Sequence, residues 1–540
     1  MDDYRGLVAH GAIHEGQLDV ARKPALETLV STVGARSLDA EASGQWGLDP
    51  SALVEAAGRA CADVFTHSDM YAENRRFAVL AGGGNNAADA LVMLRALILG
   101  GHAEPGSCSV LVGKPSEGDS TPLSRATLAL RKMGVSIKTW DRGRAVFTDR
   151  SLTGRHTVVI DGIAGTGLDG PLHGTALEMA NAVNALSREA DGPKVVSIDM
   201  PSGSFDGWRP GMPIVTAHCT LAIEPQKLCV YAPAIRHHAG TVLPVRGIFP
   251  PNLTEKYTNA ELLTWECASA RIRPVPQTAH KYGRGLVEIR AGSPGMTGAA
   301  RLSALGSQAA GAGMVRLVVD PSVYAVVAPA CSGVMVIPAS SDATAGAPSP
   351  DAVLMGPGWG KGENRMHLLE SYLHLEEKGL PLVLDADAIA LAKDTVFHGN
   401  AILTPHMGEF ASCLGFSKEE ISADDIIRTL RNFAEEKNVT VLLKSHVMYV
   451  ASPDGRLGVI DGMNPVLAAG GSGDVLAGFC AAIAARSASD FDGYTCACAA
   501  AALLVRAAES EGIAGRFIDP GELTRVAATI AGGAWIRRGA

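Results

Sequence analysis

Short apolar runs ending in glycine or an acid, each followed by a helix-competent stretch, recur along almost the whole chain. No other feature constrains the fold as much. Phe77-Ala78-Val79-Leu80 leads to Gly82-Gly83-Gly84 and then to a helical stretch from Ala87 to about Leu99. Val110-Leu111-Val112 precedes a helix near Leu123–Lys132. Val158-Val159-Ile160-Asp161 and Val195-Val196-Ser197-Ile198-Asp199 flank a long helical segment, Ala176–Ala190. This rhythm predicts an α/β fold in which parallel strands are covered by helices on both faces. Ligands in such folds gather at the carboxyl ends of the strands, where these glycines and acids stand.

At 540 residues the chain exceeds one ordinary core, so two domains are expected. The rhythm runs through Leu221–Val230 and Val242–Val245, then breaks in a proline-dotted stretch from Phe249 to Pro276. It restarts at Leu286-Val287-Glu288-Ile289 and continues through Val315–Val319, Ala352–Met355, Leu382–Leu384 and Val439–Leu443. The expected division is an N-terminal extension over 1–30 (a mobile arm or partly helical), a first domain over 31–255, a linker over 256–275 and a second domain over 276–540. A formal net charge of -9 argues against a nucleic-acid surface. The ten cysteines are scattered singly, apart from Cys496 and Cys498, with no pattern of metal-ligand spacing. They read as buried free thiols suited to a reducing cytoplasm. The opening residues lack a basic-then-apolar leader. Apolar stretches such as Leu91–Leu99 are too short to span a bilayer, so neither a signal peptide nor a membrane is expected.

The second half concentrates chemistry at its strand ends. His280-Lys281 precedes the first strand, and Ala291–Ala300 is a glycine loop opening a helix. Gly356–Gly360, Asp385-Ala386-Asp387-Ala388, Thr404–Glu409 and Lys444 each follow a strand. The stretch Ala468–Gly478 runs from small residues into an apolar helix. Its glycines let backbone N–H groups close on an anion, and the helix adds its positive end. Asp474 would be repelled by bound phosphate, so it makes chemical sense as a base for a hydroxyl while a phosphoryl group moves. A Gly-rich turn capped by Asp474 is the plainer reading. Asp385 and Asp387 are either metal-linked or helix-initiating caps, with caps favoured. No GxxxxGK[ST] loop is present, which argues against an unrelated P-loop kinase.

Together these pieces resemble the ADP/ATP-dependent NAD(P)H-hydrate dehydratase family of the ribokinase-like superfamily, over about residues 275–540. That family repairs NADH and NADPH in which water has added across C5–C6 of the dihydronicotinamide ring. The C6 hydroxyl is phosphorylated and phosphate then leaves. The resemblance implies that Asp474 contacts the hydrated substrate, that Ala300, Gly358 and His406 line its pocket, and that Lys444, Ser445, His446, Val447, Met448 and Gly473 lie along the nucleotide. It implies Mg²⁺ and ADP or ATP as co-substrate. Lys444-Ser445 departs from the family's usual Lys-Gly, and Met448 often has Thr in its place.

Residues 30–250 resemble the NAD(P)H-hydrate epimerase family, with a Rossmann-like three-layer fold. The match is carried by Arg36-Ser37-Leu38-Asp39, Leu53–Gly58, Gly82–Asn86, Asp161–Leu168 and Asp199-Met200-Pro201-Ser202-Gly203. Hydration gives two C6 epimers, so fusing an epimerase to a dehydratase that accepts only the S form has a chemical rationale. The resemblance implies a potassium ion held by Asn86, Asp161 and Ser202. It places the substrate's phosphates and ribose along Asn85, Asn86, Ala87, Ala88 and Asp89 and along Gly165, Thr166, Gly167 and Leu168. Asp199 falls by the nicotinamide ring as an acid–base group. Lys227 either faces the same cleft or is a surface lysine at a strand end. The family's Asn-Asn-Gly-Gly-Asp-Gly appears as Asn85-Asn86-Ala87-Ala88-Asp89-Ala90. These alanines cost energy if they need positive φ, and strengthen the helix start if they are already helical. Family analogy suggests a homo-oligomer acting on the small molecules NADHX and NADPHX. The alternative is a vitamin-alcohol kinase of the same superfamily whose first half is a non-catalytic binding or dimerisation module.

Overall fold

The computed structural model describes residues 27–71, 76–113, 121–147, 156–340, 346–360, 362, 364–414 and 423–536. The expected N-terminal extension therefore lies outside the described residues except for Glu27–Val30, which form a strand.

Among the described residues seven strands build the first sheet, in the order Ser136–Thr139, Cys108–Val112, Arg76–Ala81, Thr157–Gly162, Lys194–Ile198, Cys219–Ile223 and Thr241–Val245. All its pairings are parallel. Side chains alternate between two cores: Phe77, Val79 and Ala81 meet one helical layer, and Ala78 and Leu80 meet the other. Burial on both faces is why these strands read as unbroken apolar runs. The chain works outward from Arg76–Ala81 to one edge, then returns at Thr157–Gly162 and works to the other. That reversal opens a crevice at the carboxyl ends of these two strands.

Among the described residues the second sheet has twelve strands. Met335–Pro338, Met314–Val319, Leu286–Arg290, Ala352–Met355, Leu382–Leu384, Ala401–Leu403 and Thr440–Leu443 run parallel. Val447–Ala451 and Leu457–Asp461 continue it as antiparallel strands. The direction of growth again reverses, here between Leu286–Arg290 and Ala352–Met355. Helix Ser472–Arg486 is buried from Val475 to Ala485. It crosses helix Thr297–Ala309 in backbone contact. A Cβ on Gly478 would stand 2.2 Å from the Ser303 carbonyl, and one on Gly306 2.5 Å from that of Val475. The small residues that fill both helices meet this close approach, which fixes the two glycine loops that open the helices relative to one another.

The halves share structure. Glu27–Val30 pairs antiparallel with Ala260–Leu262 and parallel with Gln226–Lys227, and Ala260–Leu262 pairs with Leu457–Asp461. The stretch 256–275, read from sequence as a linker, thus supplies a strand to the second sheet and a short helix, Trp265–Ser269. Leu29, Phe205, Trp208 and Tyr231 share a core with Leu443 and Tyr449. Arg236 donates Nε and Nη2 to Asp461 Oδ2 at 2.9 and 2.7 Å. His446 Nε2 lies 2.8 Å from the Pro233 carbonyl. Among the described residues no helix is long and apolar enough to cross a membrane.

Candidate active sites

The first crevice is a cavity of about 510 Å³. Gly82 passes so close to the Ile163 carbonyl that a Cβ would stand 1.9 Å from it, so only glycine fits. Gly84 then caps helix Asn85–Leu99. Ala87, Ala88 and Ala90 are helical and fully buried, and none has positive φ. The glycine-to-alanine exchanges therefore carry no conformational strain and favour the helix. Ala90 packs on Gly162, where a Cβ would come within 2.7 Å. Asn85, Asn86 and Asp89 line the cavity, as do Gly165, Thr166, Gly167 and Leu168. Ala87 and Ala88 do not.

Charge collects deep in this cavity. Asp199 follows strand Lys194–Ile198 with φ 67, a left-handed conformation that is uncommon outside glycine and clusters at functional sites. Lys227 Nζ donates to Asp199 Oδ1 at 2.5 Å and to the Ile223 carbonyl at 3.1 Å, and both side chains are nearly buried. The strand Gln226–Lys227 thus brings Lys227 into the cleft, which sequence left open. Asp39 also lines the cavity. It is reached by solvent through the opening yet closely surrounded, and burial, opposed by Lys227 and reinforced by Asp199, raises its carboxyl to about 6. Burial, reinforced by the charge of Asp199, pushes Asp89 well above the usual carboxylate range.

Asp161 lies beneath. Its carboxylate accepts from Ser202 Oγ at 2.6 Å, Ser197 Oγ at 2.7 Å, Ser202 N at 3.0 Å and Ile163 N at 3.2 Å. Burial still raises it, against those four donors. Asn86 Nδ2 donates to the Ala164 carbonyl at 3.0 Å, while its Oδ1 is buried with no partner among the described residues.

At the second site, Gly471 takes φ 101 before helix Ser472–Arg486, and Asp474 occupies the first turn, partly exposed. Burial first, then the charge of Asp385, raises Asp474 to about 6, with Lys444 opposing. Lys444 Nζ donates to Asp385 Oδ1 at 2.7 Å and lies 3.3 Å from where a Gly473 Cβ would be. Burial disfavours the Lys444 charge, but Asp385 outweighs it and holds the ammonium above its ordinary value. Asp385 also accepts from Thr404 Oγ1 at 2.9 Å, and Asp387 accepts from Gly360 N at 2.8 Å. The favoured cap reading of these two acids is therefore corrected. Helix Asp387–Leu391 begins after Ala386 with no side-chain cap, because both carboxylates are committed to residues far away in sequence.

A cavity of about 280 Å³ is lined by Lys444, Ser445, His446, Met448 and Gly473. Val447 does not line it and packs instead in the core that holds Leu443 and Tyr449. Gly358 (φ 53) meets Met296 and Ala299, where a Cβ would stand 2.6 and 3.0 Å away. Ala300 is fully buried behind Gly292. His406 is exposed at a strand end bridged to Lys444, and its Nδ1 accepts from Gly408 N at 2.9 Å. His280-Lys281 is not brought to this site. It precedes the amino end of Leu286–Arg290, whereas the other features follow carboxyl ends. Sequence reasoning also did not single out Asp39 as a cavity acid or the Lys444–Asp385 pair, which joins residues 59 apart.

Two family models match the chain, one described as YjeF-related protein N-terminus over residues 50–229 and one as NAD(P)H-hydrate dehydratase over 287–518. The bifunctional NAD(P)H-hydrate repair enzyme Nnr of Moorella thermoacetica is 30% identical over 479 residues, covering 85% of this chain and 88% of that protein. The same-named protein of Gloeobacter violaceus is 32% identical over 483 residues, covering 85% and 89%. A crystal structure of ADP/ATP-dependent NAD(P)H-hydrate dehydratase from Bacillus subtilis aligns with 24% identity and a TM-score of 0.44, over 50% of this chain and 97% of that one.

Proposed function

The chain belongs to the bifunctional NAD(P)H-hydrate repair family, and from that premise we propose how its two sites divide the work. The enzyme epimerises the C6 hydrate of NADH or NADPH and dehydrates the S form with ADP or ATP, regenerating the coenzyme. The division is epimerisation within residues 31–255 and dehydration within 276–540.

In the second site, Asp474 takes the proton of the C6 hydroxyl as its oxygen accepts a phosphoryl group from the nucleotide. Main-chain N–H groups of Gly470–Gly473 receive the phosphate oxygens as charge develops, and Lys444 adds a fixed positive charge. Phosphate then departs from C6 with the bonding pair while C5 gives up a proton, and the double bond returns. The observation that carries this reading is the half-buried Asp474, raised to about 6 beside Lys444 and a helix start. A carboxyl in that range suits a base working near neutral pH. Gly358 and His406 form the substrate side, with Ala300 buried behind Gly292 in support, and the cavity lined by Lys444–His446, Met448 and Gly473 takes the nucleotide.

The residues fit Mg²⁺ only as an ion carried by the nucleotide phosphates. Asp385 and Asp387 are committed to other donors, and the described residues hold no cluster of three acidic, histidine or cysteine ligands. Bound there, Mg²⁺ would neutralise phosphoryl charge. In the first site the unpartnered Asn86 Oδ1 fits K⁺ as an oxygen ligand, and Asp161 and Ser202, already hydrogen-bonded to one another, would complete the set by sharing their oxygens with the ion. That ion would supply positive charge beneath the substrate loop. Asp199, paired with Lys227, serves the C6 centre. Nine of the ten free cysteines are buried, in keeping with a reducing cytoplasm, and a homo-oligomer is the proposed assembly.

The vitamin-alcohol kinase alternative is not favoured, because the relatives match across both halves. Incubation with hydrated NADH, ADP or ATP and Mg²⁺ tests the reading. Return of the dihydronicotinamide absorbance supports it. No return, with phosphorylation of a thiazole or pyrimidine alcohol, overturns it.

A further inference from the structure

Asp89 stands out among the acids of the first cavity. It lies in helix Asn85–Leu99, is 9% exposed and lines the cavity wall. Its Oδ1 has no hydrogen-bond partner among the described residues. A buried ionised carboxylate with a free oxygen is costly, which favours the neutral acid there. Burial, and the nearby charge of Asp199, push it in that direction. The groups that face it come from four elements. Asp199 follows a strand of the first sheet, Lys227 lies in strand Gln226–Lys227, Asp39 in helix Thr32–Gly44 and Cys61 in helix Pro50–Thr66. Lys227 is the one cation among them, and its ammonium is bonded to Asp199. The cavity thus holds Asp199 bonded to Lys227 and, near it, Asp89 with an unpartnered Oδ1. An acid bonded to an ammonium and an acid with an unpartnered oxygen, on the walls of one cavity, give a proton acceptor and a proton donor for the same substrate.

We propose that Asp89 is the proton donor of C6 epimerisation, working opposite Asp199 as the acceptor, rather than a ligand for the substrate's phosphates. The inference rests on reading the first site as the epimerase. Asp199 Oδ takes the proton of the C6 hydroxyl and the oxygen lone pair forms the C6 carbonyl. The C6–N1 bond breaks with its electrons moving to N1, and N1 takes the proton of Asp89. Rotation about C5–C6 presents the other carbonyl face. N1 attacks it, returning its proton to Asp89 while Asp199 returns the other to oxygen. Atoms and charge balance over the cycle, and no co-reactant is consumed. A role on phosphate would ask a carboxyl set among two other acids to sit beside a further anion. A role at the ring needs only the proton it already holds.

The test uses the full chain and its Asp89→Asn variant, which keeps the shape and an N–H donor but has no transferable proton. Pure R hydrate is supplied for epimerisation and pure S hydrate, with ADP, for dehydration. The expected result is a loss of ~100-fold or more in epimerisation kcat, with KM within about twofold. Dehydration of the S form stays intact and reports that the variant is folded. In the parent, epimerisation kcat falls as rising pH removes the proton of Asp89, and the variant lacks that fall. A raised KM with unchanged kcat, or a fall of kcat with rising pH that survives in the variant, overturns the proposal. A second measurement needs no turnover: the infrared difference spectrum of parent minus Asp89→Asn should contain the carbonyl band of a protonated carboxylic acid, and its absence from that difference overturns the proposal. Failure of the parent to epimerise overturns the epimerase reading and the proposal with it, whereas the other failures overturn the proposal alone.

Discussion

Replacing Asp474 with asparagine should make the protein more stable while ending dehydration, and the gain should depend on pH. In the fold this carboxyl is raised from 3.8 to about 6 by burial and by Asp385, against the pull of Lys444. The sign follows from that direction. Well below 3.8 the group is protonated folded or unfolded, and the substitution costs nothing through this route. Between 3.8 and about 6 the unfolded chain ionises while the folded site resists. Above about 6 the folded carboxylate is charged at a cost the unfolded chain does not bear. A rise of that size corresponds to at most ~3 kcal/mol, and partial exposure of Asp474 reduces it to about 2 kcal/mol. For a unit of this size that is roughly 5 °C in Tm. Calorimetry of the parent and Asp474→Asn should show this gain at pH 8 and little near pH 4. A variant no more stable at pH 8, or a gain equal at both pH values, would refute the argument that burial sets the state of Asp474.

Three further expectations concern the second half. Dehydration kcat should fall about tenfold per pH unit below about 6, as Asp474 takes up its proton; a rate flat down to pH 5 would exclude it as the base. Gly478→Ala forces a Cβ against the Ser303 carbonyl. It should cost ~1–3 kcal/mol in denaturant unfolding and slow dehydration while sparing epimerisation. Arg236→Ala removes both hydrogen bonds to Asp461, which adjoins Gly462 at the wall of the nucleotide cavity. Titration calorimetry should show ADP binding weakened by about tenfold, equivalent to ~1.4 kcal/mol, although Arg236 belongs to the other half of the chain.

The parallel strands were legible because burial on both faces forces apolar runs such as Val158–Ile160, and the glycines and acids after them mark the carboxyl ends. Helix Ser472–Arg486 and its loop were legible for the same reason. Short strands with distant partners were not. Glu27–Val30, Gln226–Lys227 and Ala260–Leu262 have two to four residues each. Such pieces show no period, and their partners lie as far away as Leu457–Asp461. The stretch around residue 260 therefore read as a linker although it supplies a sheet strand. Side-chain commitments across long loops were hidden too. Asp385 looked like a cap because the sequence around it starts a helix, and only the fold brings Lys444 and Thr404 to it. The alanines after Asn86 could be read either way, because φ is a property of the folded backbone; their helical setting decides for the benign reading.

The central claim is that one chain carries two separable sites acting in turn on the same damaged coenzyme. Its most direct measurement is the recovery of dihydronicotinamide absorbance from stereochemically pure R and S hydrates, each with ADP, using the parent, Asp199→Asn and Asp474→Asn. The account predicts that the parent restores both epimers at pH values where spontaneous epimerisation is slow, that Asp199→Asn restores only S, and that Asp474→Asn restores neither. Recovery from S by Asp474→Asn, or full recovery from R by Asp199→Asn under those conditions, would contradict it.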